Sequence, residues 1–324
     1  MNKQIDAFIS HISCYIPNDR ISVEEIAKEI KNESYLFPES DIQKLTEHHL
    51  FCSVPIERVL TLEEMLYEAA SQTITSVIAD QKPIDKIIFT HTSQVNYQEK
   101  NIFKKLIKQF QLSGTKCFSI SQQNCASIHM ALIIAKGLMS AETETRGIII
   151  VTADKAFHPI LRRIPDSVLG DSASACYISN GLIRGSHRLL HSYQAVDGST
   201  YNGVRSDPEQ IDWFHTTYYF AIRQAILTTL RESGFTLENI KLIVGSNVNF
   251  TTWEKTAVLL KISIDKIYTK NITSLGHLYC SDLLINLKSA IEDSVITEGD
   301  YYLTVSIGLG GTYGCALHQY LGDE

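Results

Sequence analysis

Apolar runs of strand length alternate along the chain with longer segments in which apolar residues recur at helical spacing. Ile128, Ala131, Leu132 and Ala135 lie at positions i, i+3, i+4 and i+7, which predicts a helix over 125–139. The same spacing predicts helices over 66–78, 102–110, 218–231, 254–260 and 280–293. Strands that alternate with helices in this way are typical of a layered α/β protein.

The two halves of the chain carry matching segments at one constant offset of 155 residues. Three pairs of segments define this offset: 86–89 with 241–244, 124–127 with 279–282, and 148–151 with 303–306. The repeat predicts two pseudo-symmetric halves, which we place at 1–180 and 181–324. The first half alone carries an insertion at 157–168, which includes Arg162 and Arg163. An asymmetric insertion in a duplicated fold usually belongs to the functional site or to a dimer contact.

Composition narrows the class of protein further. With 324 residues, of which 44% are hydrophobic and 20% charged, the chain can bury a large core, so disordered and coiled-coil classes are excluded. A net charge of −7 without a long basic block argues against nucleic acid as the main partner. The longest apolar stretches are far shorter than a membrane span, and no secretory signal is readable. We therefore expect a cytoplasmic protein whose partners are small molecules or proteins.

The seven cysteines are scattered without any C-x-x-C spacing, which predicts neither a zinc site nor a disulfide framework. Cys125 stands out because it follows a predicted strand and opens the predicted buried helix. A thiol at a helix start faces unpaired N–H groups, which favour the thiolate and can stabilise an oxyanion beside it. Cys125 is therefore a candidate nucleophile, although a buried structural thiol remains the alternative. We interpret its counterpart Cys280 as a core residue.

In its order of motifs the sequence resembles the thiolase superfamily, and within it the ketoacyl-acyl-carrier-protein synthase III branch. The motifs that carry the resemblance lie at 9–17, 124–127, 169–175, 276–277 and 308–314. The resemblance implies a five-layered αβαβα fold, a dimer, and Cys125 as the nucleophile that takes an acyl group from a thioester. It also implies an oxyanion hole formed by the backbone N–H groups of Cys125 and Gly310.

The chain departs from this branch at the other two catalytic positions. Ser246 stands where the branch has a catalytic His, and His277 stands where it has an Asn after a Gly. A Gly-His at this later position is similar to the arrangement in thiolases, where an Asn on the earlier loop is its partner. His277 is thus the candidate general base and acid, and Asn249 or Asn247 is expected to orient it or the thioester carbonyl.

Thiolase-type Claisen chemistry also needs a second cysteine in the terminal glycine loop, and the residue at that position is Gly308. This route is therefore disfavoured. Among the other histidines, His129 is expected to be a hydrogen-bonded core residue, and His91 is a secondary candidate base. His215 is expected to line or cap an acyl tunnel, with a place in an aromatic cluster as the alternative.

A basic stretch over 100–108 is most simply a solvated helix face, with docking of an acidic carrier protein as the alternative. No phosphate-binding glycine loop or set of metal ligands is visible in the sequence.

Together, these features predict an acyltransferase with a Cys–His covalent mechanism in specialised, natural-product metabolism. Acyl-coenzyme A or an acyl carrier protein would be the donor, no cofactor would be bound permanently, and a homodimer is expected. Two alternatives stay open. One is a carbon–carbon-forming condensing enzyme, and the other is an inert partner subunit of a heterodimeric synthase in which Cys125 is structural.

Overall fold

The computed structural model describes residues 5–32, 37–93, 102–198 and 206–322. Lys100, the first residue of the predicted basic stretch, lies outside the described residues. The strands are β1 (Phe8–Tyr15), β2 (Arg20–Ser22), β3 (Ser53–Pro55), β4 (Lys86–Thr90), β5 (Lys116–Ile120), β6 (Gly147–Asp154), β7 (Arg163–Ile164), β8 (Ser167–Val168), β9 (Ser172–Ser179), β10 (His187–Val196), β11 (Ile240–Gly245), β12 (Ile267–Tyr268), β13 (Tyr301–Gly308) and β14 (Thr312–Tyr320). The helices are α1 (Val23–Asn32), α2 (Glu39–Gln43), α3 (Leu62–Ala79), α4 (Lys104–Gln109), α5 (Ser127–Ala141), α6 (Pro208–Ser233), α7 (Phe250–Leu260), α8 (Ile272–Leu275) and α9 (Asp282–Glu292).

Ten of the described strands form one sheet that is made of two similar half-sheets. One half has the order β5-β4-β6-β9-β1 and the other the order β12-β11-β13-β14-β10, so each strand has a counterpart in the other half. In both halves the first three strands are parallel and the last two run antiparallel to their neighbours. The halves meet edge to edge where Phe8 and Ile9 pair with Arg188 and His187. The pseudo-symmetry expected from the repeat is thus present in the strand order.

Alternate residues of these strands pack on opposite faces, which separates the helices into layers. In β4, Ile87 packs with α3 and α4, whereas Ile88 packs with α5. In β11, Ile243 packs with α6 and α7, whereas Val244 packs with α9. Leu284 of α9 joins the cluster around α5, so these two helices share the layer between the half-sheets. The predicted five-layered αβαβα fold is confirmed.

Helix α6 departs furthest from the bounds predicted by apolar spacing, and the apolar helix α5 needs a separate explanation. Helix α6 begins at Pro208, ten residues before the predicted start, because Asp207 and Gln210 form a capping box and Pro208 fits the first helical turn. Helix α5 with the turn before it is long and apolar enough to cross a membrane by length and composition alone. Its apolar residues instead pack against both half-sheets and α9, as in the core helix of a layered protein.

Candidate active site

Two short turns of the repeat meet at the centre of the molecule and carry the candidate nucleophile. Each is a single 3₁₀ turn, Asn124–Ala126 before α5 and Tyr279–Ser281 before α9. Asn124 and Tyr279 are separated by the repeat offset, and both adopt a left-handed backbone, with φ of 49° and 53°. Such a backbone is uncommon for residues other than glycine and often marks a functional site. Each turn presents a cysteine directly after the left-handed residue.

Cys125 lies in hydrogen-bond contact with His277, and His277 in turn contacts a carboxylate. The Sγ of Cys125 is 3.1 Å from Nε2 of His277, while Nδ1 of His277 is hydrogen-bonded to Oδ2 of Asp282. The Asp282 carboxylate also accepts the backbone N–H of Asn247 at 2.7 Å and that of Leu278 at 2.8 Å. Sulfur, imidazole and carboxylate thus form a continuous chain of the kind that activates a nucleophile.

These three side chains are almost sealed from solvent. His277 and Asp282 are each 1% exposed, and Cys125 is 6% exposed. Burial on its own lowers the pKa of His277, but the adjacent charges of Cys125 and Asp282 raise it well above its ordinary value. The protonated, imidazolium form of His277 is therefore stabilised. The same contact with Asp282 fixes which ring nitrogen faces the sulfur.

The predicted insertion holds the backbone of His277 in place. His277 donates its backbone N–H to the carbonyl of Val168 at 2.9 Å and accepts the N–H of Gly170 at 3.0 Å. This segment is fixed by a buried ion pair, in which the Arg162 guanidinium donates to both oxygens of Asp171 at 3.0 and 2.7 Å. The insertion therefore belongs to the site, which was one of the two expectations for it.

A close approach beside His277 explains the glycine before it. A Cβ on Gly276 would lie 2.3 Å from a methyl carbon of Val54 and 2.9 Å from the carbonyl oxygen of Val168. Gly276 also has φ of 60°, which disfavours other residues. Glycine is therefore required at position 276 by packing and by the backbone conformation.

A cavity of about 200 Å³ opens onto Cys125 and His277. One wall comes from α6 and is largely aromatic, and another comes from the insertion and the loop between β13 and β14. The lining residues are His49, Ile164, Pro165, Asp166, Ser167, Ile211, Phe214, His215, Tyr218, Tyr219, Val248, Asn249, Thr252, Ile307, Gly308, Leu309 and Gly310. The pair thus faces a partly open and mainly apolar space that suits an acyl group.

The structure places the remaining predicted site residues as follows. Gly310 lines the cavity with φ of 96°, in the turn between β13 and β14. Asn249 also lines the cavity, but its side chain caps α7 by accepting the N–H of Thr252 and donates to the carbonyl of Asp166. The Asn247 side chain is fully buried and accepts from Asn286.

The expectation that Asn249 or Asn247 orients His277 with its side chain therefore differs from the structure. Asp282 occupies Nδ1 of His277, and Asn247 contributes its backbone N–H to that carboxylate. Ser246, at the usual His position of the branch, donates to the carbonyl of Val305 and lies in the core.

The three other histidines considered in the sequence analysis lie in different surroundings. His129 is fully buried and bonded to Ser306 and Thr304, as expected for a core residue, and burial lowers its pKa to about 4. His91 bonds the carbonyl of Ser93 and stacks on Phe89, so it is held by its own loop. His215 lines the cavity, as expected.

Asp282 is the residue in contact with His277 that the sequence analysis missed. It begins α9, where acidic residues are common because they compensate the helix dipole, so its presence there carries no catalytic signal. The signal that could have identified it is its position five residues after His277, in the turn that brings both side chains together. Among the described residues, no group of three or more His, Cys, Asp or Glu side chains is placed to hold a metal ion.

Comparison with known proteins shows which family the chain is similar to. Residues 230–320 match the family model of the C-terminal part of 3-oxoacyl-[acyl-carrier-protein] synthase III. The β-ketoacyl-[acyl-carrier-protein] synthase III of Clostridium kluyveri is 24% identical over 78% of this chain and 82% of its own. In these matches the chain is similar to the ketoacyl synthase III branch of the thiolase superfamily.

Solved structures agree with this ketoacyl synthase III-like fold. A protein described as the acyltransferase ChlB3 superposes with a TM-score of 0.82 at 19% identity, covering 98% of each chain. The 3-oxoacyl-(acyl carrier protein) synthase III of Pseudomonas aeruginosa gives 0.79 at 17% identity, covering 98% of this chain and 99% of its own. Members of this superfamily are acyl-transferring or condensing enzymes.

Proposed function

We propose that this ketoacyl synthase III-like protein is an acyltransferase that forms a covalent acyl-enzyme on Cys125. The observation that carries the proposal is the line from Cys125 through His277 to Asp282 at the inner end of an apolar cavity. A thiol, a base in contact with it and a carboxylate on the far side of that base form a complete set for nucleophilic acyl transfer.

In the first half-reaction, His277 takes the proton of Cys125, and the thiolate attacks the carbonyl carbon of an acyl thioester. The backbone N–H groups of Cys125 and Gly310 are proposed to hold the oxyanion, and each such donor contributes a few kcal/mol. When the intermediate collapses, the departing thiolate takes the proton from His277. Asp282 stabilises the imidazolium between these two steps.

In the second half-reaction, His277 takes a proton from an acceptor, which attacks the acyl group and releases the thiolate of Cys125. An amine or hydroxyl acceptor needs one base, and His277 supplies it. Decarboxylative condensation by the usual route of the branch requires a His and an Asn on the thioester carbonyl. The oxygen and the NH₂ group of Asn249 each bond a partner other than His277, and Asn247 is buried and is not part of the cavity lining.

Carbon–carbon formation by the thiolase route is disfavoured by the backbone as well as by the missing cysteine. A Cβ on Gly308 would lie 2.1 Å from the carbonyl oxygen of Gln123. A side chain at this position therefore requires the chain to move. These contacts favour transfer to a heteroatom over condensation.

Enzymes of this branch use acyl-coenzyme A and acyl-carrier-protein substrates and hold no permanent cofactor. We propose the same donors for this chain, with an acceptor from specialised metabolism, and a homodimer acting in the cytoplasm. Condensation and an inert subunit role remain the two competing functions.

The test is to load the protein with acetyl-coenzyme A and divide the sample. One part receives hydroxylamine, a small amine nucleophile, and the other receives carboxyl-labelled malonyl-coenzyme A. The proposal predicts acetyl hydroxamate in the first and no labelled carbon dioxide in the second. Release of carbon dioxide with formation of acetoacetyl-coenzyme A would favour the condensing enzyme. Failure of Cys125 to load with acetyl-, malonyl-, butyryl- or benzoyl-coenzyme A would favour the inert subunit.

A further inference from the structure

Thr92 is a second hydrogen-bonding residue, besides His277, in contact with the sulfur of the candidate nucleophile. It lies in the loop after β4, and its Oγ1 is 3.7 Å from Sγ of Cys125. The same oxygen is 3.7 Å from Sγ of Cys280 on the second turn. Thr92 is therefore a hydroxyl shared between the two cysteines that the repeat brings together.

The position of Thr92 is fixed by a buried carboxylate at the end of β6. Oδ1 of Asp154 accepts the backbone N–H groups of Thr92 and Ser93, both at 2.7 Å, and the hydroxyl of Ser93 at 2.9 Å. Asp154 is fully buried. Three hydrogen bonds to one oxygen hold the loop, so the Thr92 hydroxyl is presented to the sulfur by a rigid support.

Of the two cysteine sulfurs near Thr92, Cys125 is the better acceptor for the hydroxyl hydrogen of Thr92. Cys280 directs its S–H to the carbonyl of Asn124 at 3.3 Å, and burial raises its pKa well above the ordinary value, so it stays protonated. A neutral thiol is a weak acceptor, whereas a thiolate accepts a charge-assisted hydrogen bond. The Thr92 hydroxyl therefore turns towards Cys125 when that sulfur carries charge.

The repeat supports a role for this position in both halves. Thr92 and Asn247 are separated by the offset of 155 residues, and each lies two residues beyond corresponding strands, β4 and β11. Asn247 holds the carboxylate that orients His277, through its backbone N–H. Its counterpart Thr92 holds the sulfur that His277 activates, through its side chain.

We propose that Thr92 is a further catalytic residue, which stabilises negative charge on Cys125 by donating its hydroxyl hydrogen to Sγ; this role rests on the proposed function. The hydrogen bond acts before attack, when the proton has moved from sulfur to His277. It acts again in the second half-reaction, when the acceptor forms its bond to the acyl carbon and the carbon–sulfur electron pair returns to Cys125. Thr92 gives up no proton in either step.

The test compares T92V, which keeps the branched shape but loses the hydroxyl, with T92S, which keeps the hydroxyl. The readout is the rate at which iodoacetamide alkylates Cys125 at pH 7, followed by peptide mass spectrometry, because alkylation needs the thiolate but no acyl donor. One hydrogen bond of ordinary strength predicts a rate about 3- to 10-fold lower in T92V and close to wild type in T92S. Alkylation of the exposed Cys52 serves as the internal control.

Two results would overturn the role of Thr92: an unchanged rate in T92V, or an equal loss in T92S, which would indicate packing. A second readout is the decay of acetylated Cys125 in hydroxylamine, which we expect to slow in T92V and recover in T92S. If the wild type does not load any acyl group while alkylation still depends on the hydroxyl, the proposed function fails and the contact stands.

Discussion

Replacing Asp282 with asparagine is the perturbation that most specifically tests the hydrogen-bonded series of Cys125, His277 and Asp282. In the structure, Oδ2 of Asp282 receives both the Nδ1–H of His277 and the N–H of Asn247, while Oδ1 receives the N–H of Leu278. An asparagine has one acceptor oxygen and one NH₂ group, so D282N cannot satisfy all three donors. With its NH₂ towards His277, the ring must accept at Nδ1 and carry its hydrogen on Nε2, which faces the sulfur.

The size of the effect follows from these contacts. A hydrogen bond to a charged group contributes about 1.5 to 3 kcal/mol, which corresponds to a factor of about 10 to 150 in rate. The wrong ring tautomer adds to this, since the same change in a Ser-His-Asp triad lowers kcat by about 10⁴. We therefore expect acylation of Cys125 in D282N to slow by about 10²- to 10⁴-fold, while the buried shape of the site is kept.

The assay is single-turnover loading with acetyl-coenzyme A, quenched at intervals and measured by intact-protein mass spectrometry. A matched control is D293N at the other end of α9. Asp293 pairs with Lys270 and lies far along the helix from Asp282. D293N should load at the wild-type rate. Loading of D282N within about threefold of wild type would refute the role of Asp282, provided both variants show the wild-type melting temperature.

Further predictions concern the base, the insertion, the core and the assembly. H277A should slow loading of Cys125 by about 10²- to 10⁴-fold, and an unchanged rate would remove His277 as the base. R162M should lower the free energy of unfolding in urea by about 3 to 5 kcal/mol, because it leaves the Asp171 carboxylate buried without its guanidinium partner. R188M, at an exposed ion pair, should lower it by at most about 1 kcal/mol. Equal losses in the two variants would contradict this prediction. Burial lowers the pKa of His129 to about 4 and that of His187 to about 3, so the unfolded chain alone takes up these protons as pH falls below 6.5. The free energy of unfolding should therefore fall by about 1.4 kcal/mol per pH unit for each of them between pH 6.5 and about 4, and equal urea midpoints at pH 7 and 5 would contradict it. Light scattering after size exclusion should give twice the mass of 36.4 kDa. The reason is that the edge strand β5 of the described sheet offers unpaired backbone groups to a second copy. A monomer would contradict the expected homodimer.

The sequence was sufficient for the layered fold because each half repeats the same pattern at one offset. The turns that carry Cys125 and Cys280 coincide residue by residue in the structure, at Asn124–Ala126 and Tyr279–Ser281. The pairing of β1 with β10, which joins the halves, could not be predicted. Nothing in two similar apolar strands specifies which edges meet.

The site was predictable in part. Cys125 and His277 could be proposed from motif position, and the structure brings them together. Asp282 and Thr92 could not, because each has an ordinary local reason for its place, one at a helix start and one in a loop after a strand. The roles proposed for them depend on side-chain contacts, between His277 and Asp282 and between Thr92 and Cys125, that are seen only in the folded structure.

The most direct measurement is the site of acyl attachment. The wild type and C125A are incubated with acetyl-, malonyl-, butyryl- and benzoyl-coenzyme A, digested at low pH, and sequenced by tandem mass spectrometry. We predict one acyl group on Cys125 with at least one of these donors and none on C125A. Absence of any adduct on Cys125, or an adduct that persists at another residue in C125A with undiminished turnover, would contradict the covalent mechanism.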